Sequence, residues 1–164
     1  MSVIDNLVAS FQFNRTRTLG LLEKIEQEGN VQEVLGWRPG PGRAHIGWQL
    51  LHIGVTEELI ATERLDRETP PRFSDLIPRF KGGSTPDDDI PPAALIRQVL
   101  TQSRERMIQT CKEFNDTQLG WISNNLQARK LTLHDILHIV AWHEPHHQGQ
   151  AHLTFNLYKA RQAS

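Results

Sequence analysis

Apolar residues recur at helical spacing in four long stretches of this chain, and no stretch alternates as a half-buried strand requires. From about Ser2 to Glu28, the residues Val3, Ile4, Leu7, Phe11, Leu19, Leu22 and Ile25 trace one stripe that stops at Gly29-Asn30. The connector RPGPGR, Arg38 to Arg43, holds prolines and glycines that no helix tolerates, and a second helix follows over about Ala44 to Asp66. The third spans about Pro92 to Phe114, with Leu95, Val99, Met107, Ile108 and Cys111 facing the core. Pro92 suits a first-turn position. The fourth runs from about Thr132 to Tyr158, with Thr132 as cap and Asp135 at the reciprocal capping position. Each stripe must be buried against another element. With only helices available, the expected outcome is an all-α four-helix bundle.

The 164 residues suit a single domain, 1–164. A domain of this size buries roughly 70% of its unfolded surface, so neither disulfide nor metal is needed to hold it together. The longest irregular stretch, Thr69 to Pro92, carries six of the nine prolines, Gly82-Gly83 and the run Asp87-Asp88-Asp89. Phe73, Leu76, Ile77 and Phe80 should pack part of it down. A connection this long between the second and third helices reads as a cover over a site or as an insertion without a role.

Several function classes are disfavoured at once. A net charge of −1 with scattered arginines leaves no nucleic-acid footprint and no attraction to an acidic membrane. No apolar run approaches the eighteen residues of a membrane span, and MSVIDNLVAS carries an Asp where a signal peptide carries positive charge. The single Cys111 cannot form an intramolecular disulfide and fits a reducing compartment; with no histidine near it in sequence, it reads as core. The expectation is a soluble cytoplasmic protein.

The chemistry concentrates in HIVAWHEPHHQGQAH, residues 138–152, which holds five of the eight histidines. At 100° per residue, Ile136, Val140, His143, His147 and Ala151 fall within an arc of about 80°, whereas His134, His138 and His152 point the other way and His146 lies on the edge. Two neighbouring inward imidazoles must find partners for their ring nitrogens. Buried carbonyls or water could supply them, but one divalent ion satisfies a nitrogen on each ring at once. On the second helix His52 shares a face with Trp48, Val55 and Leu59, so it also points inward. His45 falls near that face, but at the helix start beside Arg43, where exposure is expected. Three histidines from two helices leave coordination positions open, the catalytic form of a nitrogen site.

HEPHH also satisfies H-E-x-x-H, which would make Glu144 a general base. Pro145 between the ligands, and the absence of a long following segment for a third ligand, count against a protease. Gln150, seven residues after His143, shares its face and could orient a water on the metal. Glu63 could support a ligand imidazole, although a solvated carboxylate is the plainer reading. Pro145 should kink the helix or free the Ala141 carbonyl. Trp37 and Trp48 read as packing residues or as the wall of a pocket mouth.

IGWQLLHIGVTEE on the second helix and AWHEPHHQGQ on the fourth, in a four-helix layout with a long central connection, resemble the DinB/YfiT-like superfamily of metal-dependent enzymes. W-x-x-x-H paired with a downstream H-E-x-x-H-H-x-G-Q is far more specific than either half, and the likeness covers essentially the whole chain. It implies an up-down-down-up bundle, a homodimer, and a zinc or nickel ion held by His52, His143 and His147. It also implies a small-molecule substrate and either a transferase using a low-molecular-weight thiol or a metal-dependent hydrolase. The alternative is a non-catalytic metal-binding stress-response protein.

Overall fold

The computed structural model describes residues 1–162. Four long helices carry the architecture: α1 (Val3–Glu26), α3 (Ile46–Leu59), α5 (Ala93–Cys111) and α6 (Leu133–Gln162). Two short helices, α2 (Val31–Gly36) and α4 (Ile77–Phe80), sit in the connections. No strand occurs among the described residues. Helix α1 packs on α5 and α6, and α3 packs on the same two, so α1 lies diagonally across the bundle from α3, and α5 from α6.

The helix ends follow from local chemistry. Ser2 and Asp5 form a reciprocal capping box at the start of α1. Thr132 and Asp135 do the same for α6: the Asp135 amide donates to Thr132 Oγ1 at 3.2 Å, and the Thr132 amide donates to Asp135 Oδ2 at 2.9 Å. His45 caps α3, its Nδ1 accepting the Trp48 amide at 3.0 Å while Nε2 reaches the Asp87 carbonyl at 3.1 Å. The expected exposure of His45 is therefore corrected. It is fully buried, because the cap needs its ring and the long connection folds over it.

Pro145 lies inside α6 without ending it. The ring removes the amide that the Ala141 carbonyl would accept, and Asn14 of α1 supplies the replacement, its Nδ2 donating to that oxygen at 3.1 Å. At Gly54, α3 approaches α5 closely: an added Cβ would stand 2.7 Å from Val99 Cγ1. Beyond Leu59 the helix widens into a π turn, Ile60–Arg64.

The core divides into two apolar clusters. One gathers Leu22, Leu35, Leu50, Val99, Leu100 and Tyr158; the other gathers Phe11, Ile60, Met107, Leu133 and Val140. Between them lies a layer of four buried charges, one from each long helix. Arg15 of α1 donates to Glu57 of α3 at 2.5 Å and to Glu144 of α6 at 2.7 Å. Arg104 of α5 lies 2.9 Å from Glu57 and also pairs with Glu144. Each carboxylate thus meets both guanidiniums, and none of the four residues is more than 5% exposed. The layer is neutral as a whole, so losing any one member strands a buried charge, which costs about 3–5 kcal/mol.

The connection between α3 and α5 is packed, not loose. Leu76 and Phe80 enter the core, and Phe73 and Ile77 pack against it. Arg79 holds Asp87 through two bonds of 2.9 Å, and Arg38 binds the Asp87 carbonyl at 2.7 Å.

Arg104→Met should lower unfolding free energy by about 3–5 kcal/mol in chemical denaturation. Adding Glu144→Gln should recover part of that loss by restoring neutrality. Strictly additive losses would show that the four charges do not act as one unit.

Candidate metal centre

Helices α3 and α6 bring His52, His143 and His147 together. One ring nitrogen from each lies within 4.8 Å of the others. His143 Nε2 stands 3.1 Å from His52 Nε2, and the three ring centroids are 4.5 to 4.9 Å apart. Two nitrogens bound to one ion at 2.0–2.1 Å are separated by about 2.9–3.4 Å at right-angle to tetrahedral geometry, so the His52–His143 spacing already fits a shared ion.

The outward nitrogens settle which atoms face inward. His52 Nδ1 donates to the Phe80 carbonyl at 2.7 Å, an oxygen that can only accept. His147 Nδ1 donates to Gln49 Oε1 at 2.6 Å. Both rings are thereby held with Nε2 as the unprotonated atom, the way an outer acceptor fixes a metal-ligating imidazole. Trp48 stacks on His52 with ring centroids 4.6 Å apart, and Gly82 of the long connection lies against the same ring, where an added Cβ would stand 3.9 Å from Cε1.

Electrostatics favour neutral rings. Burial pushes His143 down to about 3 and His147 to about 4, with the neighbouring rings adding to both shifts. Burial also holds His52 below the usual imidazole value, against the hydrogen bond to Phe80. Each neutral ring carries one lone pair at neutral pH, so an ion can bind with no net loss of a proton. The three residues could together hold a divalent metal ion.

A family model described as the DinB superfamily matches residues 10–151. The chain belongs to the DinB superfamily. No curated protein matches it.

In this DinB chain the remaining histidines of α6, His134, His138, His146 and His152, are exposed, and of these His146 borders the cluster, its ring centroid 4.9 Å from that of His147. Glu144 is placed differently from the role of general base that sequence suggested for it. Both Glu144 oxygens are taken by Arg15 and Arg104, a placement for anchoring and not for proton abstraction. Gln150 is exposed, bonds His146 Nε2 at 2.9 Å and also hydrogen-bonds His147, while Gln49 meets His147 Nδ1 at 2.6 Å. Glu63 is exposed, as its plainer reading held. Cys111 is buried, and burial raises its thiol to about 12. Trp37 packs edge-on against Tyr158.

Two openings adjoin the site. A cavity of about 10 Å³, room for a single water, lies between His143 and the charged layer, lined by Thr56, Glu57, Arg104 and Glu144. A groove of about 420 Å³ is walled by Arg43, Gln49, Gln150, Leu153 and Thr154. A separate cavity of about 780 Å³ contains none of the histidines; it is lined by Arg67, Arg72, Glu105, Arg106 and Glu113, whose charges are mixed in sign.

His45, His52, His143 and His147 all sit below the ordinary imidazole value, His45 through burial and the nearby Arg38. Unfolding the metal-free chain therefore takes up protons between the folded and unfolded values. Stability is fully present above about pH 6.5 and falls as pH drops toward the folded values. Thermal melts in chelator from pH 7 to pH 4 should show a falling midpoint. His45→Asn, which keeps a capping side chain, should flatten the slope; a midpoint that rises on acidification would contradict these shifts.

Proposed function

We propose that this DinB-superfamily chain is a divalent-metal-dependent enzyme whose ion is held by Nε2 of His52, His143 and His147. The observation that carries this reading is the convergence of three neutral imidazoles, two of them with their outer nitrogens already fixed by Phe80 and Gln49. Three protein ligands leave coordination positions open, which separates a catalytic site from a closed structural one. Zinc and nickel both suit the nitrogen donor set. Such an ion supplies Lewis acidity and lowers the pKa of a water or thiol beside it.

The chain's own residues do the positioning. Gln49 holds His147 and also lines the 420 Å³ groove, so a small molecule in that groove lies one side chain from the site. Gly82 and the Phe80 carbonyl bring the long connection against His52, the placement expected of a cover that limits water. The reaction class is an S-transfer from a low-molecular-weight thiol to an electrophilic substrate, or hydrolysis of an ester or amide. Glu144 serves as an anchor for α6 in this scheme. Trp142, Leu153 and Leu157, exposed along one side of α6, suit a homodimer contact. No helix among the described residues is long and apolar enough to cross a membrane.

Protein purified without chelator or affinity metal, then dialysed, should retain a stoichiometric ion by elemental measurement. His143→Ala should abolish that retention and His138→Ala should leave it intact; equal losses would refute the assignment of ligands. A screen of thiols against electrophiles and esters should give turnover in the loaded protein only. Retained metal with no turnover in any pairing would point instead to a non-catalytic metal-binding protein of the stress response.

A further inference from the structure

Early in α6, away from the three-histidine cluster, His134 and His138 stand one turn apart on the exposed face of the helix. Their Nε2 atoms are 3.1 Å apart and their ring centroids 4.5 Å apart. We propose that these two rings form a second, exchangeable binding site for divalent transition-metal ions.

The separation of the two nitrogens falls inside the about 2.9–3.4 Å that a shared ion at 2.0–2.1 Å imposes. Both rings already turn the same nitrogen toward one point, so little reorganisation separates the free pair from a chelate. With no ion present, one ring donates its Nε2–H to the other. Binding an ion replaces that single hydrogen bond with two coordinate bonds, and the Nε2 proton of the donor ring moves through solvent to Nδ1 of the same ring, which stays neutral. Exposure removes most of the desolvation cost that a buried charge would carry. Asp135, between the two histidines in sequence, feels both rings and adds negative potential beside the site. The rigid first turns of α6 are held by the Thr132–Asp135 cap and by the His134 amide, which donates to the Leu119 carbonyl at 3.0 Å.

Donor chemistry sets the class of ion. Two imidazoles favour Cu²⁺ over Ni²⁺ and Zn²⁺, and exclude Ca²⁺ and Mg²⁺, which require oxygen ligands. Two ligands hold an ion less firmly than three, so this site loses its ion on dialysis while the buried one keeps it. His134 and His138 share no residue with the cluster of His52, His143 and His147, and occupancy of the pair is read without any activity.

The test is a calorimetric titration of Cu²⁺ into the full chain carrying His143→Ala, with folding checked by circular dichroism. One binding event should remain. Adding His138→Ala should weaken it by at least the ~10–100-fold that loss of a mere outer-shell partner costs a metal site. Superimposable isotherms with and without His138 would overturn the proposal. The wild-type chain loaded with Zn²⁺ gives an independent measurement: substoichiometric Cu²⁺ should broaden the imidazole NMR signals of His134 and His138 before those of His146 and His152. Broadening centred on His146 or His152 would overturn it equally.

Discussion

Four charges at one level of the bundle constrain everything around them. Arg15, Glu57, Arg104 and Glu144 come from four different helices, and each meets both partners of opposite sign. Hydrophobic contacts are non-directional and tolerate sliding, so an apolar bundle can shift by a turn at modest cost. A buried guanidinium cannot, because a one-turn slip of any helix, about 5.4 Å, removes it from its carboxylates and leaves it without solvent. The layer therefore sets the axial register of all four helices. Its net worth to stability is small or negative against an apolar replacement, and its consequence is specificity.

That register is what the histidine cluster uses. Glu144 follows His143 directly on α6, and Glu57 lies little more than a turn beyond His52 on α3. Pinning the two carboxylates to the same pair of arginines fixes the relative height of the two helices beside the cluster, so the His52 and His143 nitrogens meet at 3.1 Å. The outer contacts then finish the arrangement ring by ring. Phe80, from the long connection, orients His52, and Gln49 orients His147. The same connection buries the α3 cap at His45, so one segment supports both the start of the helix and the ligand on its next turns.

Helical periodicity made the four long helices legible, together with the α6 cap and the inward direction of His52, His143 and His147. The charged layer was also partly visible. Arg15 stands in the gap that Phe11 and Leu22 leave in the α1 stripe, and Glu144 falls about 40° from Val140, just beyond the edge of the arc that held the inward histidines. It was missed because a carboxylate on an apolar face suggests a reactive group until its partners are known, and those partners lie 129 and 40 residues away in the chain. Gln49 carried a weaker signal, three residues before His52 and one turn back on α3. Nothing local marks the Phe80 carbonyl, since every residue has one.

Sequence by itself determined the elements and their buried faces, because both follow from the 3.6-residue period and from end-capping chemistry that acts over three or four residues. It also determined which imidazoles could meet, through spacing on single helices. Tertiary structure alone decided which charges neutralise one another, which amide and carbonyl fix the ligand tautomers, and where the prolines' lost hydrogen bond is repaired, as at Ala141 by Asn14. Those outcomes depend on contacts between residues far apart in the chain, and a hydrogen bond or ion pair forms only when packing has already brought both partners to within about 3 Å.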